Sequence, residues 1–195
     1  MSLLGNVRLW RPTRLALAAT AFSLSCSAVI GITIVLLGDS GETEIRILVT
    51  AGTLAGFSIL SLPSLFHFER GRYICLAWAG ISACLVLFGM FLFEIWGWGG
   101  SGDWEMKILA SVGVVAFAIN HALLMLIVTP SKILISLCQR ATIFIIAAVG
   151  TMFLIVIWAG DMPEAMMRLF GALGILDALG TVAVPILVRI SKSHS

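Results

Sequence analysis

The residue of this chain best placed to do chemistry is an aspartate inside a long apolar run. Asp177 lies nine residues after Arg168, about 13 Å further along a helix that rises ~1.5 Å per residue. Its carboxyl group therefore falls near the middle of a hydrocarbon layer about 30 Å thick. A carboxyl group at that depth costs roughly 2.5–3.5 kcal/mol on insertion scales and as a rule faces protein or a watery cavity. One helical turn further stands Thr181; shifted back by 61 residues, the place of Thr181 is held by Asn120, with His121 beside it and Ser58 close to the same stripe. Two chemistries fit these residues. As packing groups, a protonated Asp177 and Asn120 donate hydrogen bonds to neighbouring helices and pin the bundle. As functional groups, Asp177, Thr181, Asn120 and His121 line a narrow polar path or hold a proton or cation. Packing is the preferred reading, because no second membrane carboxylate faces Asp177 at its level. Glu94, the other acid within an apolar run, lies close enough to the outer surface to stay wet.

No complete set of catalytic roles can be assigned. The chain has no Gly-x-Ser-x-Gly, no His-Glu-x-x-His and no phosphate-binding loop, so the groups that those chemistries need are missing at the spacings that would bring them together. His67 stands at a helix end, His121 inside the fourth helix and His194 in the tail, which gives no pair at matching depth to ligate haem or a pigment; His121 is read as a packed, neutral imidazole. Cys26, Cys75, Cys84 and Cys138 have no C-x-x-C spacing and imply neither a zinc site nor an outer disulfide framework. The expectation is a protein that is not an enzyme and needs no metal or cofactor.

A second set of charges recurs. Glu42 with Arg46, Asp103 with Lys107 and Glu164 with Arg168 each stand at i,i+4, a spacing that puts acid and base side by side on one helix surface. Acids at a helix start also meet the positive end of its dipole, and Asp39 or Asp161 after a glycine would cap exposed N–H groups there. Such charges start helices and mark the membrane boundary; the sharper alternative is a ring of three acid–base pairs around an outer mouth.

These pairs belong to an ungapped internal repeat of period 61, which also aligns Gly38/Gly99/Gly160, Gly52/Gly113/Gly174 and Leu65/Leu126/Leu187, with Pro63 and Pro185 matching in the outer copies. The copies run from Arg8 to Phe68, Glu69 to Thr129 and Pro130 to Ile190. Ala28, Gly89 and Gly150 share a further position. In lipid, helices gain more from close backbone approach than from apolar burial, so these small residues are expected to make packing contacts.

The elements that must position all this are transmembrane helices. The chain is 60% hydrophobic and 11% charged, with a mean hydropathy of +1.10, far more apolar than a soluble domain of its length. Six runs are long enough to span: Leu15 to Leu37, Ile47 to Phe66, Tyr73 to Trp96, Ile108 to Val128, Ile133 to Ala159 and Leu169 to Val188. The first is too long for a cleaved signal and is read as retained. Each copy of the repeat is then one helical hairpin. Arg8, Arg11, Arg14, Arg70, Arg72, Lys132, Arg140, Arg189 and Lys192 flank one side, and Arg46, Lys107 and Arg168 the other, which puts both termini in the cytoplasm. Trp96, Trp98, Trp104 and Trp158 cluster near the outer ends as interfacial anchors.

The sequence thus predicts an all-α integral membrane protein, one domain over residues 1–195, built as three tandem hairpins in a parallel, quasi-threefold repeat and residing in the bacterial cytoplasmic membrane. Three parallel hairpins are also the plan of the mitochondrial carriers, but after Pro163 the acid of their signature is replaced by Ala165, so the likeness is one of architecture, as is a looser one to small bacterial six-helix proteins and amide channels. Copies that share one orientation disfavour rocking between mirror-like states, which needs inverted repeats. The expected partners are the lipid bilayer and either the protein itself or other membrane proteins. Nucleic acid is not expected, since the basic residues sit immediately beside spans. The functional expectation is a non-enzymatic, packed subunit of a membrane assembly, and the alternative is a small channel or permease for protons, a cation or a small polar solute along the Asp177–Asn120 stripe.

Overall fold

The computed structural model describes residues 12–37, 41–97, 102–130, 132–160 and 163–193. Arg8, Arg11, Gly38, Asp39, Trp98, Gly99, Asp161 and His194 lie outside them. The described residues form six α-helices: α1 (Pro12–Leu37), α2 (Glu42–Glu69), α3 (Ile74–Ile95), α4 (Asp103–Ile127), α5 (Ile133–Ala159) and α6 (Glu164–Ser193). All six are long and apolar enough to cross a membrane.

Their ends follow ordinary helix rules. Pro12 opens α1, where its missing N–H removes nothing from the helix. Glu42 and Glu44, Asp103 and Glu105, and Glu164 lie in the first turns of α2, α4 and α6, on the positive side of the dipole. Gly160 ends α5 at φ +74°, a left-handed conformation that glycine adopts without a Cβ clash, and its N–H bonds to the carbonyl of Val156 at 2.9 Å. Pro63 and Pro185 sit inside α2 and α6, each removing one N–H from the helical ladder.

Two compact units divide the chain, residues 1–109 and 110–195. In the first, α1 packs along α2 and α2 along α3. The N–H of Thr13 donates to Glu69 Oε1 at 2.8 Å, so the start of α1 and the end of α2 share one level. Arg46 at the start of α2 donates to the carbonyl of Trp96 after α3 at 3.2 Å. Phe57 meets Phe88 and Phe91 with centroids 5.8 and 5.6 Å apart, and Phe68 meets Trp78 at 5.3 Å. The order of these contacts makes α2 and α3 antiparallel.

In the second unit, α5 packs along α6 and is tied to α4 by side-chain hydrogen bonds near both of its ends. Gln139, buried early in α5, donates to the carbonyls of Met125 and Val128 at 2.6 and 2.8 Å, among the last carbonyls at the end of α4, of which Met125's also accepts from the Val128 N–H at 3.4 Å. At the opposite end Trp158 Nε1 donates to Ser111 Oγ at 3.1 Å. The α5·α6 contact includes Gly180, where a Cβ would run into the buried side chain of Thr142, against Oγ1 and 2.8 Å from Cγ2 and 3.0 Å from Cβ. Ile135, Val184 and Val188 form a small buried cluster below it with Val128 against them, and Phe153 and Phe170 meet edge-on with centroids 4.6 Å apart.

The repeated small residues do not share one packing role. Gly150 backs onto Ala118, whose Cβ would stand 3.5 Å from a Cβ at Gly150. At Gly52, Gly89 and Gly174 no described atom comes within 4 Å of that position. A repeat in sequence preserves depth along the helix axis, but which side of each helix its neighbour occupies is set by local packing.

Candidate functional site

A polar cluster is built by α4 and α6 in the second unit. Asp177 and Thr181 stand at i,i+4 on α6, one turn apart on one face, and His121 of α4 enters between them. His121 Nε2 lies 3.0 Å from Thr181 Oγ1, a hydrogen bond, and His121 Nδ1 lies 3.8 Å from Asp177 Oδ2, an electrostatic contact longer than a hydrogen bond. The two side chains are largely buried, with 15% and 18% of their surfaces exposed. Asp177 Oδ1 is fully buried and has no hydrogen-bond partner among the described residues. Pro185, four residues after Thr181, leaves the carbonyl of Thr181 without its helical N–H, which adds a backbone acceptor to this level of α6.

Against the same cluster lies a cavity of ≈ 330 Å³. Val114, Phe117, Ile146, Val149 and Phe153 supply apolar wall, Gly113 and Gly150 leave room, and His121 and Asp177 are its polar members. Phe117 also stacks edge-on against His121 from one turn away, centroids 5.6 Å apart.

Of the residues singled out from sequence, His121, Asp177 and Thr181 come together. Asn120 is held elsewhere: its side chain is buried and Nδ2 donates to the carbonyl of Ala116 in its own helix at 2.8 Å. Superposing repeat copies pointed to Asn120; one residue further, a rotation of ~100° around α4, brings His121 rather than Asn120 toward α6. Two of the outer acid–base pairs are closed, Glu42–Arg46 at 2.5 Å and Glu164–Arg168 at 2.6 Å. Asp103 and Lys107 keep the same spacing at the start of α4. Pairs of this kind at an exposed surface contribute about 0–1 kcal/mol. Gln139 and the Gly180–Thr142 contact are not among the residues that the sequence singles out, although a lone glutamine within an apolar span is a visible signal.

An aspartate, a histidine and a hydroxyl in this order resemble a nucleophile with its base, but acyl transfer also needs donors aimed at the developing oxyanion. Thr181 lies in the interior of α6, where backbone N–H groups point along the helix to their own carbonyls. Among the described residues no three His, Cys, Asp or Glu side chains are grouped to hold a metal ion.

The fold and this cluster define a protein whose described residues are helical, with six helices suited to span a membrane and a largely buried polar cluster between α4 and α6. No known family model, curated protein or solved structure matches the chain.

Proposed function

We propose that the protein is a non-enzymatic subunit of a membrane assembly: three tandem hairpins with both termini in the cytoplasm, embedded in a bacterial cytoplasmic membrane and packed against further copies or other membrane proteins. The observation that carries this reading is the pair Gly52 and Gly56 of α2, four residues apart, with no described atom of their own unit within 4 Å of a Cβ at either. That spacing lets two helix backbones approach closely in lipid. Gly89 of α3 and Gly174 of α6 are equally open.

Replacing Gly52 and Gly56 together by leucine is expected to separate assembly from folding. Leucine fits the open space and favours helix more than glycine does, so helix content and thermal stability of the protomer stay at or above wild type, while the mass in mild detergent falls to that of a single protomer. Retention of the full assembly by the doubly substituted protein would remove α2 from the interface.

A second reading, a small channel or permease for protons, a cation or a small polar solute, is supported by the buried Asp177 Oδ1, without a partner among the described residues, and the cavity beside it. For reconstituted vesicles it predicts a pH-dependent flux that disappears in Asp177→Asn. Equal flux in the two proteins would exclude Asp177 from the path.

A further inference from the structure

We propose that the cavity between α4, α5 and α6 binds a small lipophilic amine as its ammonium ion, with Asp177 as the counter-charge. The inference rests on the second reading above only in treating the Asp177 cluster as a binding site; it does not require transport.

At ≈ 330 Å³ the cavity falls at the small end of the range of about 300–1,000 Å³ typical of ligand sites. Its walls, among them Phe117, Ile146, Val149 and Phe153, are apolar, and its polar groups, Asp177 and His121, lie on adjoining helices at one side. An occupant must therefore have an apolar body and one polar tip. The tip must carry donors, because Asp177 puts a carboxyl group on the cavity wall that has no donor for Oδ1 among the described residues, while the imidazole stands 3.8 Å from Oδ2, too far to serve as one. An ammonium group supplies three donors and the opposite charge, and the faces of Phe117 and Phe153 favour a nearby cation.

Other occupants fit less well. A bare metal cation needs several oxygen ligands, which one carboxylate does not provide. An anion would meet the carboxylate, and a sugar would bury hydroxyls against apolar walls without partners. A proton alone needs no space of this size. His121 is tied to Thr181 through Nε2, which leaves Asp177 as the group that answers the ligand's charge.

Adamantylamine, a compact apolar body with one amine, is the probe, and adamantanol its uncharged counterpart. Binding of labelled probe would be measured on the full chain in nanodiscs of zwitterionic lipid, with empty discs subtracted. The expected result is saturable binding of the amine, weaker for the alcohol, and reduced at least about tenfold by Asp177→Asn, as for loss of one partner of a buried charge pair. Val149→Trp, which fills the cavity from the α5 side, is expected to abolish binding with helix content unchanged. Absence of saturable binding, equal binding of amine and alcohol, or undiminished binding in both variants would overturn the proposal. Flux in vesicles separates the two ideas: an Asp177-dependent proton flux without amine binding keeps the permease reading and rejects the amine, whereas amine binding without flux does the reverse.

Discussion

Introducing a methyl group at Gly180 is expected to destabilise the second unit by about 1–3 kcal/mol, the usual cost of overpacking a filled contact. The added Cβ would stand 2.8 and 3.0 Å from Cγ2 and Cβ of the buried Thr142, so α5 and α6 must separate or Thr142 must leave its position. Thr142 Oγ1 bonds to the carbonyl of Cys138 in its own helix at 3.0 Å, and Thr142→Ala alone is expected to have a small effect. Combining Gly180→Ala with Thr142→Ala removes Oγ1 and Cγ2 from the path and should recover most of the loss. Thermal unfolding of the four proteins in one detergent checks this as a double-mutant cycle. Losses that simply add would place the strain of Gly180→Ala elsewhere than on Thr142.

Asp177→Leu is expected to weaken the attachment of α6 to α4 by on the order of 0.5–2 kcal/mol, the range for polar contacts between helices in membranes. Leucine keeps the branched shape, with a larger volume, but leaves His121 Nδ1 facing a methyl group instead of a carboxyl oxygen 3.8 Å away. Asp177→Asn retains size and hydrogen-bonding capacity, and should leave thermal stability and oligomer retention close to wild type. The permease reading makes the opposite claim for function, namely that Asn abolishes activity while stability holds. If the Leu variant matches wild type in both stability and assembly, Asp177 is not part of a packed interface and its structural role is refuted.

Much of the fold was legible in the sequence because its cause is coarse. The bilayer demands about 20 apolar residues per helix, and the limits read from hydropathy lie within a few residues of the observed helices, with Ile133–Ala159 identical. The helices run further at several ends, as in α2 from Glu42 rather than Ile47 and α6 from Glu164 rather than Leu169, because the acid–base pairs that mark the boundary are themselves helical. The cluster was legible in depth but not in rotation: Asp177, Thr181 and the level of residues 120 and 121 were apparent, yet whether Asn120 or His121 turns toward α6 depends on how α4 is rotated. Gly180 escaped for a related reason. Its equivalents 61 residues apart are Ile119 and Ser58, so a search for repeated small residues passes over the glycine that packs most tightly, while Gly52, Gly89 and Gly174 were selected although they stand open.

The central claim, that the protein acts through assembly, is tested most directly by its native mass after extraction in mild detergent, with the lipid and detergent contribution subtracted. The account predicts a homo-oligomer or a larger complex that contains the intact chain. A stable, solitary protomer that conducts a solute after reconstitution would contradict it.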